Sequence, residues 1–318
     1  MFKSPDFTYD ASIRMWTADS ADAAYEVLAS PALRVYNLAK FYDMLAAETG
    51  REFLLSRYYS DYILLSNEDE QHAALRKLAA QRFHASARAV RLAATEAVNQ
   101  ITTRFSTPGT FDLIDDLISP LTHKVVVALA GVGTHVVASD ILAPSRSLTK
   151  MRRIEAELVV MHDYVEAHFP SETPDSRATR VSLALIGYEP LKAGLGNNLA
   201  TIIMQANGQR LNEIDWPQDL IATAVRKLVR VARDPASCPI PVVEISTELF
   251  LSGDKRNAAS LFGRGNHSCM GRGLSMQIWK SLADTLSKLP HRVEMLDYTA
   301  PEHWLFNIPK RAKIRISL

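Results

Sequence analysis

The sequence predicts a mainly α-helical protein with a minor β component, and three observations support this fold class. Hydrophobic residues make up 47% of the 318 residues and charged residues 22%, a balance that allows a sizeable core. Apolar residues recur with the 3.6-residue period of amphipathic helices along most of the chain. No Gly/Ser-rich linker divides it, so residues 1–318 are predicted to form a single domain.

Helical periodicity occurs from one end of the chain to the other. The predicted helices are 20–29, 37–49, 68–80, 85–105, 112–131, 150–168, 180–206, 218–232 and 271–289. Before the third of these, Asn67 and Glu70 have the spacing of a capping box. Short strand-like runs predict the strands Tyr62–Leu65, Val242–Ile245, Val293–Leu296 and Ile314–Leu318. Helices therefore outweigh strands throughout.

Charge and cysteine content narrow the class of protein. The formal net charge is 36 − 35 = +1, which gives no bulk attraction to nucleic acid or anionic lipid. The N-terminal residues lack the layout of a signal peptide, and apolar runs such as Val125–Ala130 are too short for a membrane span. Two cysteines do not suggest a disulfide framework. We therefore expect a cytoplasmic protein with no nucleic-acid or membrane partner.

The strongest candidate for a functional site is the segment Phe262–Gly271 (FGRGNHSCMG), which directly precedes a predicted helix. Unpaired backbone N–H groups at a helix N-terminus lower the pKa of a cysteine there, which favours Cys269 as a thiolate metal ligand. Gly263 and Gly271 have no Cβ, so the backbone can lie close to a flat macrocycle. A lone cysteine is more often a buried structural residue, and only the spacing of the whole segment favours a ligand.

That spacing, Phe-Gly-x-Gly-x-His-x-Cys-x-Gly, resembles the haem-binding loop of the cytochrome P450 family. The resemblance implies a cytochrome P450-like fold with haem b (iron protoporphyrin IX) as cofactor. It implies that Cys269 binds the iron and that Phe262, Gly263 and Gly271 contact the haem. A thiolate ligand donates electron density to haem iron and favours O–O bond cleavage.

A second segment supports the resemblance. His72 and Arg76 lie four residues apart in the predicted helix 68–80, so they share one helix face. The segment is similar to the family's C helix, which implies that both side chains bind haem propionates. His267, two residues before Cys269, is a third candidate for this role. Taken alone, a His–Arg pair at this spacing is more often part of a solvated helix face, and only the cysteine loop favours the propionate role.

The predicted helix 180–206 matches the helix that crosses the distal haem face in the family, but with one change. Gly187 and Glu189 match its signature, whereas Pro190 stands where the family has threonine. Glu189 is expected to assist proton delivery. Pro190 offers no hydroxyl and is expected to kink the helix. A simple kink with Glu189 facing solvent remains the alternative.

The predicted helix 218–232 also departs from the family. It should carry a Glu-x-x-Arg pair, but the best match has Lys227 before Arg230, and these two charges repel. Only 38 residues separate Arg230 from Cys269. We therefore expect a mainly α fold with minor β structure in which the sheet and meander regions are trimmed.

The resemblance implies three functions of different kinds. The first is a haem-thiolate oxidoreductase of the monooxygenase class, which oxidises a small-molecule, biosynthetic substrate with electrons from a ferredoxin and its reductase. The second is a haem-thiolate enzyme that uses peroxide, or that catalyses dehydration, rearrangement or N-heteroatom chemistry; Pro190 favours this class. The third is a non-catalytic haem-binding or partner protein, which the altered Lys227 position favours.

Overall fold

Helices dominate the computed structural model, which describes residues 6–11, 15–133, 140–141, 147–236, 238, 240–251, 262–263, 267–301 and 305–318. The α-helices are α1 Ala21–Ala29, α2 Leu38–Thr49, α3 Leu54–Ser60, α4 Asp69–Phe105, α5 Ser119–Ala130, α6 Leu148–His168, α7 Pro174–Gln205 and α8 Arg272–Leu286. Short 3-10 helices cover Leu64–Ser66, Leu211–Glu213 and Thr247–Leu251, and a π-helical turn, Ile114–Ile118, leads into α5. This confirms the predicted mainly α fold class.

Two small sheets accompany the helices. The strands are β1 Phe7–Asp10, β2 Met15–Ala18, β3 Leu33–Val35, β4 Gly109–Asp112, β5 Lys227–Ala232, β6 Val242–Ser246, β7 Arg292–Thr299 and β8 Arg311–Ser317. One sheet has the order β1-β2-β6-β5-β3, and the other has the order β4-β8-β7. Only the β2–β6 pair is parallel among these described strands. The predicted strands at 242–245, 293–296 and 314–318 correspond to β6, β7 and β8.

Two predicted elements are wrong. Residues 227–232 form strand β5 and not the end of a helix at 218–232, since residues 227–231 pair with β6 and residues 230–232 pair with β3. Lys227 therefore does not stand in a helical pair with Arg230. Its Nζ lies 2.5 Å from Oε1 of Glu244 on β6 instead. The run Tyr62–Leu65 is not a strand, because a 3-10 turn begins at Leu64.

Helix α4 is one continuous helix, although the sequence predicts two. No glycine or proline interrupts residues 69–105, so nothing ends the first helix before the second begins. The capping-box prediction is also wrong. Asn67 lies outside the helix and donates to the carbonyls of Ser60, Asp61 and Ile63, while Glu68 is the N-cap residue. Helix α4 packs along α5 and α8.

Helix α7 connects two hydrophobic clusters of the core. Its residues 178–185 are buried against α2, α3 and α6, and residues 191–203 are buried against α4, α5, α8, β7 and β8. Glu189 and Pro190 lie at the junction between these clusters. Among the described residues, no helix combines the length and the apolar character that crossing a bilayer requires. The predicted trimming of the sheet and meander concerns the interval between Arg230 and Cys269, and residues 252–261 of this interval lie outside the described residues.

Asn198 on α7 positions the strand that follows it in the chain. Its side chain is fully buried, and its amide donates to the carbonyls of Gly194 and Ala222. The backbone N–H groups of Ile221 and Ala222 donate to its Oδ1. One side chain thus satisfies a buried turn that belongs to no helix or strand. The chain leaves this turn directly into β5, which carries Arg230.

Two arginines satisfy the C-terminus of α5. Nε of Arg82 donates to the carbonyl of Leu129 at 2.7 Å, and Nη1 of Arg180 donates to the carbonyl of Ala130 at 2.8 Å. Arg180 is 4% exposed and forms an ion pair with Glu172. Gly131 ends α5 with a φ of 75°, so this corner requires both a left-handed residue and the space that a missing Cβ leaves.

We expect the substitution Gly131→Ala to destabilise the protein more than Gly50→Ala does. Both glycines have positive φ, 75° and 64°, where alanine costs about 1 kcal/mol. A Cβ at Gly50 would meet nothing within 4 Å, whereas a Cβ at Gly131 would lie 2.5 Å from Nη1 of Arg180. Crowding the buried Arg180 side chain adds about 2 kcal/mol as an overpacking cost. Urea unfolding of both variants measures the difference, and equal losses would contradict this packing.

Candidate functional site

The cysteine loop folds back on itself in front of helix α8. The backbone N–H of Cys269 donates to the carbonyl of Phe262 at 2.7 Å. Gly263 has a φ of 75°, and a Cβ there would lie 3.0 Å from the carbonyl oxygen of His267. A residue without a side chain is therefore required at this turn. The loop is described at 262–263 and 267–271, and Gly265 lies outside the described residues.

The thiol of Cys269 sits beside the first N–H groups of α8. Burial raises the pKa of the thiol, and backbone hydrogen bonds from Gly271 and Arg272 offset this in part. The N–H groups of the helix start thus lower the pKa of the thiol as expected, but desolvation is the larger effect and the net shift is upward. The side chain still reaches solvent. Because burial disfavours the thiolate, the thiol needs a strong positive partner to ionise, and a metal ion would supply one.

The structure brings the three predicted propionate ligands together. His72 on α4 packs against His267 of the cysteine loop, with ring centroids 4.2 Å apart and ring planes tilted by 42°. Nη1 of Arg76, one turn further along α4, donates to the carbonyl of Ser268 at 2.8 Å. His72 is buried, so the alternative of a solvated helix face is wrong for this residue. The sequence pattern of helix 68–80 therefore placed the pair on the correct face.

Arg230 joins this group from strand β5. Burial lowers the pKa of His267, the half-buried Arg230 guanidinium adds a smaller lowering, and burial lowers the pKa of Arg230 itself. Among the described residues no carboxylate oxygen lies within 4 Å of its side-chain nitrogens. The predicted helix 218–232 gave no indication that Arg230 lies beside the cysteine loop. The β-branched pattern of 229–231 was the available signal for a strand. We call His72, Arg76, Arg230 and His267 the cationic cluster.

The carboxylate of Glu68, which no sequence motif singles out, contacts the cationic cluster at His267. The backbone N–H of Val35 donates to its Oε1 at 2.7 Å. Its Oε2 lies 3.3 Å from Nε2 of His267, which is close enough for an ion pair. The geometry of this contact is not that of a hydrogen bond. Nδ1 of His267 is buried and has no hydrogen-bond partner among the described residues. The cluster therefore retains a polar atom that a further ligand could satisfy.

The distal candidates lie on α7. The helix continues across Pro190 from Pro174 to Gln205, so it begins earlier than the predicted 180–206. Glu189 is 7% exposed, and the alternative in which it faces solvent is therefore wrong. Gly187 lies against Val126 of α5, where an added Cβ would make ordinary contact at 3.6 Å. An acid buried next to a proline thus occupies the middle of the central helix.

These residues fit a haem group. The accessible thiol of Cys269 can bind iron, and the residues of the cationic cluster offer donors to the two propionates. Within the described part of the chain, Nδ1 of His267 has no hydrogen-bond partner and Arg230 has no carboxylate partner, so both are available to an anionic ligand. Across the described ranges no group of three or more His, Cys, Asp or Glu side chains forms a separate metal site.

His72 gives the haem-free protein a specific pH dependence. Burial, His267 and Arg76 lower its pKa to about 4, against the opposing effect of Glu68. Because the unfolded chain binds a proton at His72 near pH 6.5 and the folded chain does not, stability is lost as the pH falls from 6.5 towards 4. We expect wild type to lose about 2 kcal/mol more than His72→Gln between pH 7 and pH 5. Urea unfolding at both pH values tests this, and parallel losses would refute it.

The fold has many relatives among solved structures. CalO2 superimposes with a TM-score of 0.74 at 16% sequence identity, covering 99% of this chain and 93% of that chain. CYP164A2 from Mycobacterium smegmatis with econazole bound gives a TM-score of 0.72 at 16% identity, with 98% and 93% covered. A thermophilic cytochrome P450 from Sulfolobus tokodaii gives 0.67 at 16% identity, with 100% and 98% covered.

At the level of sequence, no protein-family model and no curated protein matches the chain. The structural likeness nevertheless extends over nearly the whole chain in each comparison, and it includes the helices and strands that carry Cys269 and the cationic cluster. The chain therefore has the cytochrome P450 fold, mainly α with minor β structure.

Proposed function

We propose that this protein is a haem-thiolate enzyme that oxidises a small organic molecule in a biosynthetic pathway. The observation that carries the proposal is the contact between the cysteine loop and the cationic cluster, which offers a thiol for iron and several donors for two propionates. When bound, haem would supply the redox chemistry of the site. We further propose that residues 1–318 act as one haem-binding unit.

The binding role divides between two sets of groups. Cys269 would ligate iron as a thiolate, and the N–H groups of Gly271 and Arg272 would hold the charge on sulfur. Arg76 and Arg230 would bind propionates as charged donors, with His72 and His267 as neighbouring donors. Phe262 and Gly263 shape the loop through the hydrogen bond to Cys269 and the left-handed turn.

On the distal side Glu189 would hold or transfer a proton. Its burial in the middle of α7 keeps the carboxyl away from bulk water, which suits a proton relay. Pro190 contributes no hydroxyl, so a water molecule would have to take the place of an alcohol side chain next to Glu189.

A substrate from biosynthesis is supported by two of the similar structures. RauA is described as complexed with a biosynthetic intermediate of aurachin RE. Another is described among unusual cytochrome P450-like monooxygenases of microbial secondary metabolism. We extend this substrate class, but not these compounds, to the present chain.

An electron donor would dock on helix α4. Lys77, His84, Arg88 and Arg91 are exposed and recur at spacings of seven, four and three residues, so they form one basic stripe. The stripe begins one residue after Arg76, which contacts the cysteine loop. Opposite charge speeds the association of redox proteins, and a ferredoxin delivered by its reductase fits this face.

A second function is favoured by Pro190 itself. A distal helix without a hydroxyl at this position suits a haem-thiolate enzyme that uses peroxide, or that catalyses rearrangement, dehydration or N-heteroatom chemistry without activating dioxygen. The two proposals share the haem site and differ in the oxidant that they consume.

The ligand assignment is tested by absorption spectroscopy of the reduced, carbon-monoxide-bound protein. We expect wild type to show a thiolate-type Soret band and Cys269→Ser to lose it, because serine cannot supply a thiolate. Cys238→Ser removes the other cysteine and is the matched control, since its thiol donates to the carbonyl of Ile240 outside the haem site. A band that survives in Cys269→Ser would refute the assignment.

The oxidant is tested by turnover of a panel of small substrates under two conditions. With ferredoxin, its reductase, NADPH and dioxygen, we expect product formation that weakens as salt screens the basic stripe. The variant Arg88→Glu should slow this reaction, whereas Arg104→Glu, near the other end of the same helix, should not. Turnover with hydrogen peroxide alone, and none with the electron-transfer system, would replace the first proposal by the second.

A further inference from the structure

Glu68 lies where three segments of the fold meet. It is the N-cap residue of α4, its Oε1 accepts the backbone N–H of Val35 on β3, and its Oε2 faces His267 of the cysteine loop. The hydrogen bond from the backbone of Val35 fixes the carboxylate in place, because it anchors the end of a flexible side chain to strand β3. The acid is held at the cationic cluster by the fold.

Its side chain does not perform the usual task of an N-cap residue. No hydrogen bond from the first turn of α4 reaches it. The next residue, Asp69, takes both hydrogen bonds from Arg233, at 2.9 and 3.1 Å, and so compensates the charge of that arginine. Oε2 of Glu68 also lies 3.7 Å from Nη2 of Arg233, so Glu68 shares this arginine with Asp69. At the cationic cluster the charge of Glu68 opposes the pKa lowering of His72, Arg230 and His267.

The negative charge of Glu68 offsets part of the positive charge of the cationic cluster. Arg76 and Arg230 carry two positive charges, and Glu68 carries one negative charge. Haem b brings two propionates, which would compete with Glu68 for the same donors. Without haem, Glu68 attenuates the mutual repulsion of the cations; with haem, it repels the propionates.

We propose that Glu68 is an internal substitute for a ligand carboxylate, which stabilises the haem-free chain and weakens its hold on haem. This inference rests on the proposed haem-binding function and adds that haem binding is reversible. The protein would keep a folded, haem-free form and exchange haem with its surroundings.

The experiment compares haem release from wild type and from Glu68→Gln. Gln keeps an oxygen for the N–H of Val35 and removes the charge. Ferric haem is transferred to excess apomyoglobin, and the rate is followed by absorption. We expect Glu68→Gln to release haem about tenfold more slowly than wild type, as the loss of one partly screened like charge predicts. In the haem-free state, the same variant should unfold at a lower urea concentration than wild type.

Glu70→Gln is the matched control. Glu70 is an exposed acid two residues further along, so this variant has the same net charge but leaves the cluster intact. It should release haem at the wild-type rate. A Glu68→Gln protein that is unstable without haem can be loaded during expression and measured in the same way.

The outcomes separate the inference from the function on which it rests. If wild type shows the thiolate-type spectrum and Glu68→Gln releases haem as fast as wild type or faster, the role of Glu68 is overturned and the haem-thiolate proposal stands. If neither wild type nor Glu68→Gln binds haem through a thiolate, both are overturned.

Discussion

The hydrogen bond from Arg76 to the carbonyl of Ser268 is the contact on which the site depends. It joins residues 192 positions apart and fixes the start of α4 against the cysteine loop. His72 lies one turn before Arg76 on the same helix face. The hydrogen bond of Arg76 therefore also brings the ring of His72 against that of His267. A thiol that stood alone at a helix N-terminus would have no anion-binding groups around it. This contact supplies them.

One asparagine supports the connection that leads to Arg230. Asn198 satisfies the turn at 221–222 from inside the core, so the chain passes from this turn to β5 without an α-helix. Arg230 lies on β5, which is paired on both sides by β6 and β3. The ion pair that a helical Glu-x-x-Arg would make is absent from residues 227–230, and Lys227 is neutralised across the sheet by Glu244.

Electrostatics give the cluster a character different from that of the thiol. Burial lowers the pKa of His72 and of His267 and raises that of Cys269, so each of these groups tends to its neutral form. Charge in the site resides on Arg76, Arg230 and Glu68. A ligand with one metal ion and two carboxylates would favour the charged forms of all three groups: the thiolate of Cys269 and the protonated His72 and His267. The three groups together therefore fit haem better than any one of them does alone.

Sequence alone determined the fold class, the cysteine loop and the shared face of His72 and Arg76. These depend on local spacing: a glycine at a left-handed turn, a cysteine before a helix and a four-residue helical repeat. It also identified α7 and the acid and proline in its middle. Helix α4 was predicted in two parts, since a polar stretch in its middle weakened the apolar pattern while nothing in the backbone ended the helix.

Only the tertiary structure decided the positions of Arg230 and Glu68 and the net direction of the pKa of Cys269. The segment 227–232 has helical propensity, but pairing with β3 and β6 makes it a strand, because long-range hydrogen bonds override a weak local preference. The sequence shows Glu68 as an acid at the start of a helix. Only the fold shows that its hydrogen bond with Val35 holds the carboxylate next to His267. Likewise the helix N-terminus predicts a lowered thiol pKa, and burial, which depends on every neighbouring segment, raises it.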